Sequence, residues 1–239
     1  MSQAIAAPAV ERKRLPATVP VNKAIDPATI AFRLVANSEL STLSIESSSG
    51  IAADHDRVVA QALAREADFE VSKVSSGRDE YRKSILLDHD RLVEPLFRSK
   101  IQGEAVDIAR SLGLNLASSP EFESIECQVT AHLDGGFYHA HTDTGSSETQ
   151  ERIFSYVYYF QSRPNAFFGG ELKLYEPLVD NGLDVTGARY SLIAPEDNSI
   201  VFFPSHIMHE VLPTYVRSGA FADSRFTVNG WVRRVCALV

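Results

Sequence analysis

The segment 153–160 constrains the fold more than any other, because both of its alternating faces are largely apolar or aromatic. In an extended chain one face carries Ile153, Ser155, Val157 and Tyr159, and the other carries Phe154, Tyr156, Tyr158 and Phe160. A strand with two apolar faces lies in a sheet that is covered on both sides. The segment therefore predicts a central strand with one packed layer on each face.

The order of elements along the chain narrows the fold class. One helix is predicted from Asp54 or Asp56 to about Ala67, and a second from near Pro95 to just before Gly113. After about residue 122 short apolar runs alternate with Gly, Pro and Asn. The predicted strands span 124–133, 152–160, 171–175, 189–193, 199–203 and 225–235. Helices followed by many strands indicate an α+β protein with a β-sandwich or barrel core.

Chain length and local composition predict the domain boundaries. A chain of 239 residues is long enough for one sizeable domain. Residues 1–50, rich in Ala, Pro, Val and Ser, are predicted to form a flexible tail and linker. Residues 51–239 then form a single domain, with helical support over 51–120 and the strand-rich core over 121–239.

Charge and cysteine content exclude several classes of protein. The net charge of −8 argues against general affinity for nucleic acid or anionic membranes. Cys127 and Cys236 cannot support a disulfide framework, and they indicate a reducing compartment. No run approaches the roughly 18 apolar residues of a membrane span. The N-terminal basic residues follow a short apolar patch, which is the wrong order for a secretory signal. A cytoplasmic protein without membrane or nucleic-acid partners is predicted.

The motif His141-Thr142-Asp143 is the sharpest chemical feature of the chain. Residues two apart in a strand point to the same side, so His141 and Asp143 are predicted to reach one ion while Thr142 faces away. A later histidine completes the set, and His209 is the best candidate. Two imidazoles and one carboxylate on one face of a metal leave three positions open, which suits non-haem Fe(II) oxygen chemistry.

Two other histidines compete for these roles. His139 lies two residues before His141 and could pair with it. His206 lies three residues before His209, but it directly follows an apolar strand and Pro204, where a turn is expected. His209 is therefore the preferred third ligand.

A second feature is the strand that begins at Arg225. Alternation places Arg225, Thr227, Asn229 and Trp231 on one face. An inward guanidinium is costly unless it is paired, and a carboxylate that accepts two of its hydrogen bonds satisfies it best. Thr227 could add a hydroxyl to the same carboxylate. A structural salt bridge within the protein is the alternative.

Four blocks in order carry a resemblance to a known family. They are 132–138 leading into His141-Thr142-Asp143, 152–160, Gly169-Gly170-Glu171-Leu172, and His209-Glu210-Val211-Leu212-Pro213 followed by Arg225 and Trp231. Over residues 122–235 the chain resembles the prolyl-4-hydroxylase-like branch of the 2-oxoglutarate/Fe(II)-dependent dioxygenases. Residues 172–175 and 219–231 look closest to members related to ribosomal-protein prolyl hydroxylases.

The resemblance implies a fold and a set of site residues. The fold is a double-stranded β-helix, or jelly roll, with N-terminal helices packed on its major sheet. The implied iron ligands are His141, Asp143 and His209. The residues implied to bind the distal carboxylate of 2-oxoglutarate are Arg225, Tyr159 and Thr227. The residues implied to lie near the substrate are Tyr138, Asn229 and Trp231. Tyr156 and Tyr158 lie on the opposite face of their strand and are expected in the core.

Three departures from the family pattern bear on the site. His132 stands where the family often has tyrosine. An enlarged loop, residues 216–224, precedes Arg225 and contains Arg217 as a rival anion partner; Arg225 is preferred because its strand carries the other matches. Asp143 is present where related halogenases have a small residue, so no space is left for a chloride ligand and halogenation is disfavoured.

The resemblance also implies an activity. It implies that O₂ and 2-oxoglutarate are consumed, that succinate and CO₂ are released, and that a C–H bond of a prolyl residue, an amino acid or a small metabolite is hydroxylated. Ascorbate is an additional cofactor to consider. The alternatives are a jelly-roll binding module without catalysis and a metal-dependent cupin-type enzyme that does not use 2-oxoglutarate. Loops 144–150 and 216–224 are either lids over the site or ordinary surface loops.

Overall fold

A computed structural model describes residues 31–36, 39–43, 51–73, 81–114, 122–180 and 183–234 of the chain. This part is mostly β-sheet with few helices. The helices are α1 (Ile51–Ala64) and α2 (Val93–Ser111), with short 3-10 helices at Glu66–Asp68 and Phe221–Asp223. No helix in these ranges is long and apolar enough to cross a membrane.

The strands of the described ranges run from β1 to β15. They are β1 (Ala31–Ala36), β2 (Glu39–Leu43), β3 (Glu70–Val71), β4 (Arg82–Lys83), β5 (Ile85–Asp88), β6 (Phe122–His132), β7 (Phe137–His141), β8 (Arg152–Phe160), β9 (Phe168–Gly169), β10 (Leu172–Asp180), β11 (Leu183–Ile193), β12 (Ser199–Pro204), β13 (His209–Val211), β14 (Thr214–Tyr215) and β15 (Arg225–Arg234). The large sheet has the order β2-β1-β12-β8-β15-β6-β5-β3, and the small sheet has the order β11-β10-β13-β7-β4. Strands β14 and β9 form a separate pair.

The two larger sheets pack face to face through a compact apolar cluster. Its buried members come from β8 and β12 of the large sheet and from β10 and β11 of the small sheet: Tyr159, Val201, Phe203, Leu172, Leu174 and Ile193. The opposite face of the large sheet shares a second core with the helices, where the Phe97 ring of α2 lies 5.1 Å from Tyr158 and 6.3 Å from Tyr156. Strand β8 is thus covered on both faces, and Tyr156 and Tyr158 are core residues, as the sequence predicts.

The start of α2 is fixed by an aspartate outside the helix. Asp90 is buried, and its Oδ1 accepts hydrogen bonds from the backbone N–H groups of Leu92 at 2.9 Å and Val93 at 2.8 Å. Its Oδ2 accepts from Gln61 and Arg65. Burial alone would raise the pKa of Asp90, but these hydrogen bonds lower it overall. This cap places the helix start at Val93, close to the predicted start.

The first helix and the N-terminal segment differ from the sequence prediction. Helix α1 begins at Ile51, so Asp54 lies in its first turn and neither aspartate precedes it. The predicted tail of residues 1–50 is wrong where β1 and β2 form, because β1 pairs in parallel with β12 and β2 forms the edge of the large sheet. Residues 1–30, 37–38 and 44–50 lie outside the described residues. Strands β3, β4 and β5 also fall in the segment predicted to be helical, where runs of two to four residues are too short to show alternation.

Substitution of Gly230 tests the contact between β15 and the large-sheet core. A Cβ atom at this position would lie 2.0 Å from Cζ of Tyr156, which is fully buried and cannot move away. Gly230→Ala is expected to lower the free energy of unfolding by about 2–4 kcal/mol, measured by urea denaturation. The matched control is Gly103→Ala in α2, where nothing lies within 4 Å of the new Cβ. That variant should be neutral or stabilising by about 0.5–1 kcal/mol.

Candidate active site

Two paired strands bring the predicted metal ligands together. His141 is the last residue of β7, His209 is the first of β13, and the two are direct partners in the antiparallel ladder. Nε2 of His141 lies 3.7 Å from Oδ1 of Asp143, and Nε2 of His209 lies 3.6 Å from Oδ2 of Asp143. One ligand atom from each of the three lies within 4.8 Å of the other two. The three can therefore share one ion.

Both imidazole rings are held in the orientation that a metal needs. Nδ1 of His141 lies 2.8 Å from the carbonyl oxygen of His139, and Nδ1 of His209 lies 2.9 Å from that of Ile207. Since a carbonyl only accepts, each Nδ1 carries the proton, which leaves the lone pair of each Nε2 for a ligand. Burial and the neighbouring His209 lower the pKa of His141 to about 3, so its ring is neutral.

The carboxylate of Asp143 is positioned by β8 and by the turn after β12. Its Oδ2 accepts a hydrogen bond of 2.6 Å from Oγ of Ser155, and Oγ of Ser205 lies 2.9 Å from the same hydroxyl. The backbone N–H of Asp143 donates to the carbonyl of Ser205 at 3.0 Å. Burial alone would raise the pKa of Asp143. The two histidines and the hydrogen bonds from Ser155 and Trp231 make the net shift downward. Asp143 is thus held as an oriented anion.

The strand argument for the motif is only partly correct. Strand β7 ends at His141, so Asp143 reaches the site from a turn and not from the same strand face. Thr142, predicted to face away, lines the same cavity. Because the strand ends at His141 and a turn begins at Asp143, the alternation of side chains along a strand does not apply to Thr142 and Asp143.

The rival histidines lie outside the ligand group. The side chain of His139 is exposed and packs against Tyr81 and Phe137, at ring distances of 5.7 Å and 4.6 Å. His206 is exposed in the turn after β12, whereas His209 is buried. The structure therefore groups His209 with the motif.

Arg225 forms a buried cationic group beside the metal ligands. Its side chain is 1% exposed; Nε donates to the carbonyl of Gly170 at 2.7 Å, and Nη1 lies 3.3 Å from Nδ1 of His132. The guanidinium carbon lies 5.1 Å from the centre of the Tyr159 ring. Burial lowers the pKa of Arg225, although arginine remains charged in proteins. Arg217, the rival in the loop, is exposed and stacks over Phe168.

Several buried polar atoms around Arg225 have no hydrogen-bond partner within the described residues. The space beside the Arg225 side chain is narrow, because a Cβ atom added at Gly170 would lie 2.5 Å from Cδ of Arg225 and 2.9 Å from Oγ1 of Thr214. The atoms are Nη2 of Arg225, Nε2 of His132, and the hydroxyl oxygens of Thr214 and Thr227. Buried polar groups are rarely left unsatisfied, so this group indicates a site for a ligand with several acceptor oxygens.

The residues predicted near the substrate line the same cavity of about 850 Å³, which also contains the three metal-ligand candidates and Arg225. The Tyr138 ring stacks on His141 at 3.6 Å, and Trp231 lies under the guanidinium of Arg152 at 3.9 Å. Asn229 donates to Oγ1 of Thr130 at 2.8 Å. Tyr138 and Trp231 thus contact the metal-ligand group directly, and Asn229 is tied to β6.

Sequence reasoning missed four residues of the site. Ser155 orients Asp143, Gly170 and Thr214 shape the space around Arg225, and Arg82 lines the cavity beside Tyr138. The alternation of β8 places Ser155 on the face of Tyr159, and that lone polar residue in an apolar strand was a usable signal. The others depend on contacts between segments far apart in sequence.

The two candidate lid loops differ in their contacts. Loop 144–150 is closed by hydrogen bonds between Ser146 and Thr149, and it lines the cavity. Loop 216–224 is tied down, because Arg163 binds both carboxylate oxygens of the buried Asp223 and the ring of Phe221 packs in the core. Movement over the cavity is therefore easier for loop 144–150.

Removal of the Ser155 hydroxyl tests how Asp143 is positioned. Ser155→Ala is expected to weaken Mn(II) affinity by about 10- to 100-fold, because residues that orient metal ligands contribute at this scale. The measurement is a calorimetric titration of the metal-free protein. Ser199→Ala is the matched control, since Ser199 is equally buried and donates to the carbonyl of Glu196 away from the site. Equal affinities in the two variants would show that Asp143 needs no help from Ser155.

Comparison with known proteins shows what this part of the chain is similar to. Residues 127–233 match the sequence family described as the 2OG-Fe(II) oxygenase superfamily. Residues 127–233 are therefore similar to 2OG-Fe(II) oxygenase domains. It is also 36% identical over 183 residues to an uncharacterized PKHD-type hydroxylase of Synechocystis, covering 76% of this chain and 59% of that protein. The chain thus spans somewhat more than half the length of this relative.

Solved structures share the fold of this chain. A prolyl-4-hydroxylase from Pseudomonas putida aligns with a TM-score of 0.54 and 22% identity, over 75% of this chain and 85% of that chain. A prolyl hydroxylase from Trichoplax adhaerens, solved with a peptide of hypoxia-inducible factor, aligns with a TM-score of 0.50 and 20% identity, over 76% and 77% of the two chains. The family model and the Synechocystis relative support the resemblance to 2-oxoglutarate/Fe(II) oxygenases, and the two prolyl hydroxylases share the fold. The finer likeness to ribosomal-protein prolyl hydroxylases stays a prediction.

Proposed function

We propose that this protein is an Fe(II)- and 2-oxoglutarate-dependent dioxygenase that hydroxylates a C–H bond and releases succinate and CO₂. One observation carries the proposal. The cavity that holds the His141, Asp143 and His209 group also contains Arg225, a fully buried guanidinium with Nη2 unsatisfied. A metal site next to a buried guanidinium that still has a hydrogen-bond donor to offer fits a metal-chelating cosubstrate that has a second carboxylate.

The donor set fits ferrous iron. Two imidazole nitrogens and one carboxylate oxygen lie close together, and all three residues line the cavity. This composition with open positions is the one used by non-haem Fe(II) oxygenases. His141, Asp143 and His209 are therefore proposed as the iron ligands.

The surroundings of Arg225 fit the distal carboxylate of 2-oxoglutarate. A carboxylate that accepts hydrogen bonds from Nη2 of Arg225 and from the hydroxyl of Thr227 would satisfy two buried groups at once. The ring of Tyr159 closes one side of this space. His132 adds a further donor: its Nδ1 faces an arginine N–H, which can only donate, so the ring proton lies on the unsatisfied Nε2.

Bound iron, together with 2-oxoglutarate and O₂, supplies the oxidising chemistry that hydroxylates an unactivated C–H bond. The protein positions and shields the reactants. Tyr138 covers one side of the His141 ring and Trp231 hydrogen-bonds Asp143, so both limit the access of water to the metal side of the cavity. Tyr138, Asn229 and Trp231 are proposed to contact the substrate, and ascorbate is proposed as an auxiliary reductant.

The finer features of the fold and the substrate class belong to the same proposal. The two packed sheets are proposed to form a double-stranded β-helix whose large sheet is supported by α1 and α2. Residues 51–239 are proposed as the oxygenase domain, extended by β1 and β2.

The substrate is proposed to be a prolyl residue of a peptide, an amino acid or a small metabolite. The Trichoplax enzyme, which was solved with a peptide, supports the first option. The cytoplasmic location stays a prediction.

The two alternative functions do not explain why Arg225 is buried beside the metal-ligand candidates. A cupin-type enzyme could use the same three ligands, but its chemistry needs no carboxylate beside the metal. A binding module without catalysis would not need the oriented imidazoles of His141 and His209. Both alternatives leave Nη2 of Arg225 buried without a partner.

The direct test is succinate formation by the purified protein. Succinate should appear when both Fe(II) and 2-oxoglutarate are supplied in air, and it should stop when either one or O₂ is left out. Addition of prolyl peptides or amino acids should show which of them gains one oxygen by mass spectrometry. A protein that binds Fe(II) but forms no succinate with any candidate would favour the cupin-type or binding alternatives.

A further inference from the structure

Arg82 is a second arginine in the active-site cavity. It lies on β4, the edge strand of the small sheet, and pairs with Tyr138 of β7. Its guanidinium carbon lies 4.8 Å from the centre of the Tyr138 ring, which in turn stacks on His141. The ring of Tyr138 therefore lies between Arg82 and the metal-ligand candidate His141.

The Arg82 side chain is fixed by one end of its guanidinium. Nε donates to Oγ of Ser84 at 2.6 Å, and Oγ of Ser84 donates to Oγ of Ser72 at 2.8 Å. Both serines are buried. This chain of hydrogen bonds uses Nε and leaves the two Nη groups, which form the fork that a carboxylate recognises.

Arg82 differs from Arg98 and Arg152 of the same cavity, because no described acidic group lies within ion-pair distance of it. Arg98 pairs with Glu94, and Arg152 pairs with Glu126. Asp143 is close enough to influence the pKa of Arg82, but it is already held by Ser155 and the two histidines. Burial lowers the pKa of Arg82, which reflects the cost of a largely desolvated cation.

Binding of the proposed metal and cosubstrate would not compensate this charge. A divalent metal, the carboxylate of Asp143, dianionic 2-oxoglutarate and the cation of Arg225 cancel one another. The loaded site then retains the positive charge of Arg82 next to the open part of the cavity. A substrate with one negative charge would neutralise it.

We propose that Arg82 binds a carboxylate group of the substrate, so that the substrate is a carboxylic acid such as a free or N-acylated amino acid. This inference rests on the proposed function, since it names the substrate class of the same cavity. A phosphate dianion is a poorer fit, because the single positive charge of Arg82 would leave one of its two negative charges uncompensated. Arg82 thereby selects against neutral substrates that otherwise have the same shape.

The test compares carboxylates with their neutral amides. The full chain is loaded with Mn(II) and 2-oxoglutarate, and binding is measured by calorimetry. The probes are acetate, N-acetylglycine and N-acetyl-L-proline, each beside its amide. The wild-type protein should bind at least one carboxylate about tenfold or more tightly than its amide. Arg82→Gln should remove this preference, and Arg82→Lys should keep part of it.

The controls separate this inference from the proposed function. Arg98→Gln, which removes a cavity arginine that is already paired, should keep the carboxylate preference. Mn(II) and 2-oxoglutarate affinities are measured first in every variant. If the wild type binds both but no carboxylate, or binds amides equally well, the role of Arg82 is wrong and the proposed function stands. If Arg82→Gln lowers only Mn(II) affinity, Arg82 merely supports Tyr138. If the wild type binds neither Mn(II) nor 2-oxoglutarate, the proposed function itself fails.

Discussion

Asp143→Ala is expected to abolish iron-dependent turnover and to weaken metal affinity by more than about 100-fold, while the protein stays folded. The loss exceeds the effect of residues that only orient ligands, because the variant lacks the single anionic ligand of the group. The backbone N–H of Asp143 still donates to Ser205, so the turn after β7 keeps its main-chain support. The measurements are calorimetric metal binding, succinate formation, and thermal unfolding of the metal-free protein.

The histidines provide the matched comparison for this prediction. His209→Ala should behave like Asp143→Ala, because His209 is buried within the ligand group. His206→Ala should bind metal like the wild type, because its side chain is exposed in the turn after β12. Full activity in His209→Ala together with loss of activity in His206→Ala would show that the third ligand is misassigned.

Arg225→Ala is expected to raise the 2-oxoglutarate concentration needed for half-maximal turnover by at least about 30-fold. Loss of one partner of a buried, hydrogen-bonded charge pair costs roughly 2–5 kcal/mol, and the lower value corresponds to this factor. Metal affinity without 2-oxoglutarate should change little, because Arg225 is not among the residues that contact Asp143. The two effects are separated by kinetic titration of 2-oxoglutarate and by calorimetric titration of Mn(II).

Arg217→Ala is the control for Arg225→Ala. Arg217 is exposed and stacks on Phe168, so its loss should leave the 2-oxoglutarate requirement unchanged. A large increase in Arg217→Ala, with a normal requirement in Arg225→Ala, would move the carboxylate site to the loop 216–224.

The parts of the fold that could be predicted are those set by local sequence patterns. The alternation in 153–160 indicated a strand covered on both faces, and the apolar spacing after Pro95 indicated α2. Strand β1 could not be predicted in this way, because it is stabilised by pairing with β12, which lies far away in the sequence. The two-residue strands β3 and β4 are likewise too short to carry a pattern of their own.

The same distinction applies to the site. His141 and Asp143 were found from their spacing, although the reason was incomplete, since Asp143 lies in a turn. Arg225 was found because a charged residue in an apolar strand needs a partner. Thr214 and Arg82 were missed, because their roles come from contacts between strands that only the tertiary structure brings together. Spacing identifies ligands within one segment, and it cannot identify residues that complete a cavity from other segments.

The most direct measurement is a crystal structure of the full chain with Mn(II) and 2-oxoglutarate. The proposal predicts Mn(II) bonded to Nε2 of His141, Nε2 of His209 and the carboxylate of Asp143, with one carboxylate of 2-oxoglutarate on the guanidinium of Arg225. Metal bonded to other side chains, or 2-oxoglutarate bound away from Arg225, would contradict it.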